Sequence, residues 1–344
     1  QAEDGIRDLV RSRGLGDVYK RQDKERGDSW RDHNFHIGEF QVPLKKSTEY
    51  YLVFTIEEEL QDNPAHIYDR EMQRKQRLLT QAMLPQTFDK LVLSADSFVV
   101  QKGSGKSIVA GYHWFSDWGR DTLIALPGIT LVTKQFDDAR LILESFGKYC
   151  ENGLIPNVFS ERDSQPAYNT VDASLWYVDR VYQYLKYTND LKIVDKLWPV
   201  LQSIIEQYKN GTDFGIHMDD DFLISHSEGL TWMDVKIGDY YATPRSKKAV
   251  EIQALWYNAL RIMSTLASFL GKTNHYSDLA ENVKRSFRNQ YNHAYDVIDT
   301  KDLSIRPNQI FLVSLDFPMI DKQMQEWIVS ELSLIHISEP TRPY

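Results

Sequence analysis

The sequence predicts a mainly α-helical protein in which helical hairpins are arranged as a toroid. Long stretches repeat apolar residues at three- and four-residue steps, which is the spacing of helices packed on more than one side. Strands and helices do not alternate regularly, which argues against a parallel α/β sheet. Short turns join the helices within a pair, and long polar loops join one pair to the next. We expect those long loops to form the functional face.

Composition and charge argue against several classes of function. The chain has 344 residues, of which 42% are hydrophobic, and a net charge of -9. This charge argues against nucleic acid or an anionic membrane as the partner, and no apolar run reaches the roughly 18 residues of a membrane helix. Cys150 is the single cysteine, which excludes an intrachain disulfide and favours a reducing, cytoplasmic location. The histidines lack metal-ligand spacing, so we predict neither a metal nor a cofactor.

The two ends of the chain differ from the rest. Residues 1–22 and 332–344 resemble translated sequencing-adapter sequence, so we expect that neither segment is native and that the natural reading frame continues downstream. Residues 47–57 are rich in β-branched and aromatic residues and predict a strand. Residues 35–43 alternate in polarity and would pair with it. Because two strands are only marginally stable alone, we assign residues 23–65 to the end of a β-domain.

Helices are predicted from residue 66 onward. Residues 66–100 are predicted as linking helices, divided between 66–86 and 87–100, and residues 101–331 form the main helical domain. Within that domain the periodicity predicts paired helices followed by two shorter ones: 121–133 with 135–150, 173–187 with 191–208, 249–270 with 275–290, then 309–317 and 321–331.

Two motifs lack the spacing that their usual ligands require. Gly103–Ser107 suggests a phosphate-binding loop, but the full pattern needs a glycine where Val100 stands, so we predict a flexible turn. The run Asp219–Asp221 suggests calcium, but its neighbours are apolar and its ligand spacing is wrong. We therefore predict a turn there as well.

Aromatic and charged residues are concentrated in the stretch from His113 to Ile124. Aromatic rings cover the apolar face of a sugar, and arginine and carboxylate groups hydrogen-bond its hydroxyls, so the stretch suits a carbohydrate ligand. The alternative is a buried ion pair at a helix N-terminus, with a carboxylate favoured by the helix dipole. The candidate residues are Trp114, Asp117, Trp118, Arg120 and Asp121.

Cleavage of a glycosidic bond needs two carboxyl groups, one of which protonates the leaving oxygen. Asp234 is the best candidate for that acid, because it lies in the middle of a loop where no helix cap is needed. Trp232, two residues earlier, offers an aromatic surface to the same site. The alternative is a loop aspartate that hydrogen-bonds its own backbone.

Three further polar residues lie in or beside the long loops. Asn169 and Asp172 precede the helix predicted at 173–187, and Asp172 has the alternative role of an N-cap. Glu251 opens the next long helix, where the helix dipole favours an acidic residue. The cationic neighbourhood of Arg245 also lets Glu251 face a site.

One block of sequence carries a family resemblance. Ala110–Gly128, which includes Trp118-Gly119-Arg120-Asp121, closely resembles the signature of the amylo-α-1,6-glucosidase domain of glycogen debranching enzymes. The resemblance covers roughly residues 30–331, and a weaker one extends to glucoamylases, which have a similar Trp-x-Arg-Asp turn. Further blocks follow in the order expected of the family: Asn169–Trp176, Gly229–Asp234, Pro244–Asn258 and Arg306–Ser314.

The resemblance implies an (α/α)6 toroid, about half of it present, preceded by the end of a β-sandwich domain. It implies inverting hydrolysis of α-1,6-linked glucose at branch points, with glycogen or another branched α-glucan as partner. By the same resemblance Arg120 and Asp121 hold hydroxyls of the terminal glucose, and Asp234 is the general acid. The family's general base comes from a later loop that no position here matches. We therefore expect the chain alone to be inactive.

Two alternatives stay open at this point. A chain without a matched second carboxylate is compatible with a non-catalytic, glucan-binding fragment. The same motifs also suit a glucoamylase-like α-glucosidase that acts on α-1,4 oligosaccharides. The downstream reading frame separates the first alternative from the enzyme, and an assay on limit dextrin separates the second.

Overall fold

Helices dominate the described part of the chain. A computed structural model describes residues 24, 46, 49–55, 62–112, 115–159 and 165–338. Its helices, in chain order, are α1 (Pro64–Ala82), α2 (Asp89–Ser97), α3 (Gly119–Leu126), α4 (Phe136–Lys148), α5 (Ala173–Thr188), α6 (Leu191–Asn210), α7 (Val250–Leu270), α8 (Tyr276–Gln290), α9 (Phe311–Ser314) and α10 (Lys322–Ser338). None of these helices is long and apolar enough to cross a membrane.

Short antiparallel strands stand between the helices. They are β1 (Val99–Lys102), β2 (Gly105–Gly111), β3 (Phe115–Asp117), β4 (Val158–Phe159), β5 (Pro166–Ala167), β6 (His217–Met218), β7 (Ile224–Ser225), β8 (Lys236–Ile237) and β9 (Tyr240–Tyr241). The first three form one sheet in the order β1-β2-β3, with Val99 opposite Ile108 and Val109 opposite Asp117. Each later pair forms a separate two-stranded ladder.

The helices pack as a series of hairpins. The pairs α3–α4, α5–α6 and α7–α8 are joined by short turns, and α5 packs against both α3 and α7. Helices α5 and α7 are buried on most sides, whereas α6 and α8 bury a single stripe. The first helix of each of these two pairs is therefore the more buried member. A closed ring stays a prediction.

The sequence predicted the later helices to within two residues at each end, from α5 to α8. Their ends have clear local causes. Helix α6 begins after Asp190, whose carboxylate accepts from the N–H groups of Lys192 and Ile193 at 3.1 and 3.3 Å. Helix α7 ends at Gly271, which adopts the left-handed conformation at φ 64°.

The region before α3 differs from the sequence prediction. Residues 87–100 do not form one helix, because α2 ends at Ser97 and β1 begins at Val99. Within the segment Gly103–Ser107, the predicted turn is confirmed as a tight hairpin, in which Lys102 pairs with Gly105. The β1-β2-β3 sheet itself was not predicted, because its strands are short and glycine interrupts their pattern. Later in the chain, residues 309–317 contain only the four-residue helix α9.

The chain divides into two units, Gln1–Tyr68 and Asp69–Tyr344. In the first unit the described residues 49–55 form no strand, contrary to the expectation for 47–57. The strand expected at 35–43 and the segment 1–22 lie outside the described residues, so the β-sandwich stays a prediction. In the second unit α10 ends at Ser338, so its last residues belong to the segment 332–344 that we expected to be non-native.

Gly119 is required where β3 turns into α3. A Cβ atom at this position would lie 2.0 Å from the carbonyl oxygen of Pro156, and the Gly119 N–H donates to Asn157 O at 2.6 Å. We expect Gly119→Ala to lower the free energy of unfolding by about 3 kcal/mol, because backbone must move to admit the methyl group. Urea unfolding measures this loss.

The matched control is Gly128→Ala, in the wider helical turn Pro127–Leu131 that follows α3. No atom lies within 4 Å of a Cβ added there. We expect this variant to be neutral or up to about 1 kcal/mol more stable, because alanine favours a helix over glycine. Equal losses in the two variants would contradict the account of Gly119.

Candidate active site

Arg120, in the first turn of α3, is the centre of a buried cluster that we call the Arg120 cluster. Its Nε donates to both carboxylate oxygens of Asp172, at 3.0 and 2.8 Å. Its Nη2 donates to Thr170 Oγ1 at 3.0 Å and to the carbonyl oxygen of Leu230 at 3.1 Å. Its Nη1 lies 3.5 Å from Asp234 Oδ2. One guanidinium therefore joins α3 to the loop before α5 and to the loop that carries Asp234.

The charges of the cluster keep Arg120 ionised. Burial alone would lower the pKa of Arg120, but the charge and hydrogen bonds of Asp172, with smaller contributions from Asp234 and Asp121, raise it. Asp172 stands at the N-cap position of α5 yet makes no side-chain capping bond. Its carboxylate bonds to Arg120 and accepts from the Thr170 hydroxyl at 2.5 Å instead. Asp172 therefore forms an ion pair with Arg120 and does not cap the helix with its side chain.

Asp234 is the carboxylate through which the cluster reaches solvent. Its side chain is 35% exposed, whereas that of Asp172 is 7% exposed. Trp232, two residues earlier on the same loop, is 45% exposed. A carboxyl group that contacts the protein on one side and solvent on the other is able to reach a bound molecule and transfer a proton to it.

Asp121 lies beside Arg120 at the surface. Surrounding protein atoms desolvate its carboxyl group in part and raise its pKa, and the positive charge of Arg120 opposes this rise. A cavity of about 380 Å³ borders both residues. Its remaining described lining is apolar and includes Phe98, Ile108 and Ile124, so Asp121 is the carboxylate that it presents.

Three other predicted site residues lie on the segments around this cluster. Asp117, in β3, accepts a hydrogen bond from Lys102 Nζ at 2.5 Å. Trp118 is partly buried before α3, and Asn169 is exposed before α5. Among the described residues none of these three hydrogen-bonds to Arg120. Trp114 lies outside the described residues.

Glu251 is buried at the start of α7. Arg245 donates from Nη1 and Nη2 to its two carboxylate oxygens at 2.5 and 2.6 Å. Asn308 Nδ2 donates to the same carboxylate at 2.9 Å. Burial would lower the pKa of Arg245, but Glu251 and then Asp296 raise it. Both oxygens of Glu251 are therefore bonded to protein groups.

Several members of these clusters were missed from the sequence. Thr170 and Leu230 bond to Arg120 across 50 and 110 positions of the chain. Asp296 bonds to Arg245 across 51 positions. Asn308 lay inside a family block but had no assigned role. No local spacing marks such residues, because only the packing of distant loops brings them together.

No group of acidic, histidine or cysteine side chains suited to a metal ion occurs among the residues that the structure describes. The run Asp219–Asp221 forms the predicted turn between β6 and β7. Lys248 Nζ lies 3.0 Å from Asp219 Oδ2 and 2.9 Å from Asp221 Oδ2. Two of the three carboxylates are thus paired with one lysine of the same chain.

A series of helical hairpins whose long loops bring carboxylates to a buried arginine and carry an exposed tryptophan is typical of helical glycoside hydrolases. Comparison with known proteins supports that class. Residues 93–337 match the sequence family described as amylo-alpha-1,6-glucosidase, so this chain belongs to that family.

Two individual proteins illustrate the similarity. The glycogen debranching enzyme of Saccharomyces cerevisiae is 37% identical over 84 residues, which cover 23% of this chain and 5% of that enzyme. The aligned stretch is thus a small part of the relative. A structure of a rhamnosidase from Klebsiella oxytoca with rhamnose bound shares 20% identity, covers 65% of this chain and 42% of that chain, and has a TM-score of 0.44. That score is too low to support an argument on ligand or mechanism.

His226, just after β7, gives the site region a predicted sensitivity to acid. Its ring is buried, and Nδ1 lies 2.8 Å from the carbonyl oxygen of Ser227. Burial lowers its pKa from 6.5 to about 4. Because the folded pKa is below the unfolded one, the contribution of neutral His226 is complete above pH 6.5 and is lost as the pH falls towards 4.

We expect His226→Gln to reduce the loss of stability between about pH 7 and about pH 5, because glutamine keeps a polar side chain that does not gain a proton. Urea midpoints at the two pH values measure the difference. His293→Gln, at an exposed position, is the control and should keep the parent's acid sensitivity. An unchanged pH dependence in the His226 variant would contradict the assignment.

Proposed function

We propose that this chain binds the terminal glucose at an α-1,6 branch of glycogen or limit dextrin and protonates the leaving oxygen. The observation that carries the proposal is the Arg120 cluster. In it, the buried Arg120 pairs with Asp172 and lies 3.5 Å from the partly exposed carboxylate of Asp234, and the exposed Trp232 stands two residues before Asp234 in the chain. Membership of the family supports the reaction class.

In this proposal Asp234 is the general acid of an inverting hydrolase. Inversion also needs a second carboxylate, roughly 6.5–9.5 Å from the acid, to activate water on the opposite face of the sugar. We assign no described residue to that role, and the oxygens of Glu251 are already bonded to Arg245 and Asn308. The chain alone should therefore hydrolyse little substrate.

The sugar contacts are assigned by exposure and remaining hydrogen-bonding capacity. The ring of Trp232 is a stacking surface for a pyranose, and the carboxylate of Asp121 is open to accept from hydroxyls. Arg120 Nη1 makes only the 3.5 Å contact with Asp234 within the described part, so it is able to donate to a hydroxyl as well. Further sugar contacts are proposed for residues that belong to the same stretches of aromatic and polar sequence: Trp114, Asp117, Trp118 and Asn169. The sequence also predicted Asp172 as a contact, but its carboxylate bonds to Arg120 and Thr170, so we assign it to holding Arg120.

Asp234→Asn tests the acid. Turnover is measured in the chain joined to the downstream reading frame, with glucose release from limit dextrin as the readout. We expect kcat to fall by roughly 10²- to 10⁴-fold while dextrin binding persists, because the amide keeps the shape but cannot give up a proton to the leaving oxygen. The control is Asp220→Asn, in the exposed part of the β6–β7 turn. Near-normal turnover of the Asp234 variant would remove it from the acid role.

Asp121→Ala tests binding in the chain as it stands. Calorimetric titration with isomaltose should show a Kd raised by roughly tenfold, because a charged acceptor for a sugar hydroxyl is lost. Asp220→Ala should leave the Kd unchanged. Equal affinity in the Asp121 variant and the parent would return this residue to a structural role at the helix start.

Substrate preference separates the proposal from its closest alternative. Limit dextrin should release free glucose, whereas linear maltooligosaccharides should release little. The opposite pattern would indicate a glucoamylase-like α-glucosidase acting on α-1,4 bonds. Binding of both glucans without any turnover in the extended chain would indicate a glucan-binding module.

A further inference from the structure

A second buried cluster lies next to the first and is centred on Arg245. We call it the Arg245 cluster. Arg245 is 2% exposed, and its guanidinium bonds in bidentate fashion to Glu251 and to Asp296. The distances to Asp296 are 2.7 Å from Nε and 2.8 Å from Nη2. Asn308 Nδ2 bridges the two carboxylates at 2.9 and 2.8 Å, and Arg306 also contacts Asp296.

Stability alone does not account for such a cluster. Removing two carboxylates and a guanidinium from water is costly, and well-packed apolar residues often replace buried ion networks without loss of stability. What the cluster does provide is a rigid donor. With both carboxylates and Asn308 fixing its plane, Arg245 presents Nη1 in one direction.

Nη1 of Arg245 points towards the loop that carries Asp234, the candidate acid. Arg245 Nη1 donates to Thr231 Oγ1 at 3.2 Å. Thr231 is 2% exposed and follows Leu230, whose carbonyl oxygen accepts from Arg120 Nη2 at 3.1 Å and from Val171 N at 3.0 Å. Consecutive loop residues are therefore held by two arginines from different parts of the chain. Asp234 follows three residues later.

We propose that Arg245 is a positioning residue for the Leu230–Asp234 loop, which it fixes through the Thr231 hydroxyl while Glu251 and Asp296 fix Arg245. The importance for catalysis rests on the proposed function of Asp234. The anchoring itself is independent of that function. Glu251 then contributes to the site by orienting Arg245, and it makes no contact with sugar.

Thr231 allows the test, because valine keeps its branched shape and removes only the hydroxyl, which accepts from Arg245 Nη1 at 3.2 Å and, within the loop, from Met233 N at 3.4 Å. Serine keeps the hydroxyl and removes only the methyl group. The probe on the full chain is acrylamide quenching of Trp232, the adjacent exposed residue, obtained by difference from the Trp232→Phe form of each variant. We expect Thr231→Val to raise the quenching constant of Trp232 by about twofold, because the loop opens more often, and Thr231→Ser to match the parent.

Kinetics in the chain joined to its downstream reading frame give the second readout. Thr231→Val should lower kcat by roughly 10- to 100-fold and change KM by less than about threefold, because misplacing an acid affects the transition state more than ground-state binding. Thr231→Ser should restore kcat. If Thr231→Val does not fold, as judged by its thermal unfolding, Thr231→Ala is compared with Thr231→Ser in its place.

The outcomes are distinct. Parent-like quenching and kcat in the Val variant would overturn the proposal, and so would equal losses in the Val and Ser variants, which would indicate a role of shape. Looser Trp232 in the Val variant, together with normal turnover of Asp234→Asn, would support the anchoring by Arg245 and would refute the acid role of Asp234.

Discussion

The guanidinium of Arg120 has donors directed at two loops that are distant in the sequence, and its burial makes these interactions interdependent. A buried cation is tolerated only when it is paired and hydrogen-bonded, so Asp172, Thr170 and the carbonyl oxygen of Leu230 must all be in place. The start of α3 therefore fixes where the loop before α5 and the loop of Asp234 lie. The close approach of Gly119 to Pro156 sets the position of that helix start.

The packing of the hairpins explains how loops without regular structure are held in defined positions. Arg120 belongs to α3, and Asp172 stands at the start of α5. Glu251 belongs to α7, and these three helices pack side by side. Their N-terminal ends therefore carry Arg120, which bonds to the loop of Asp234, together with Asp172, which pairs with Arg120. They also carry Glu251, which pairs with Arg245. The helices carry the charged side chains that fix the loop, and the loop carries the exposed carboxylate of Asp234 and the exposed ring of Trp232. The proposed chemistry depends on this division.

Sequence reasoning recovered what is local. The stripe of Val194, Leu197, Trp198 and Leu201 predicted α6, and the same face is buried in the structure. It missed the β1-β2-β3 sheet, because the strands are short and glycine residues interrupt their sequence pattern. It also selected Asp172 and Asp234 separately but could not show that Arg120 joins them, because that contact depends on the packing of α3 against α5.

The most direct test of this account is a crystal structure of the Asp234→Asn chain with isomaltose bound. The account predicts that the glycosidic oxygen lies within about 2.6–3.2 Å of the side chain at position 234. It also predicts that the non-reducing glucose contacts Asp121 and the ring of Trp232. A sugar bound away from the Arg120 cluster, or one whose glycosidic oxygen faces another carboxylate, would contradict the central claim.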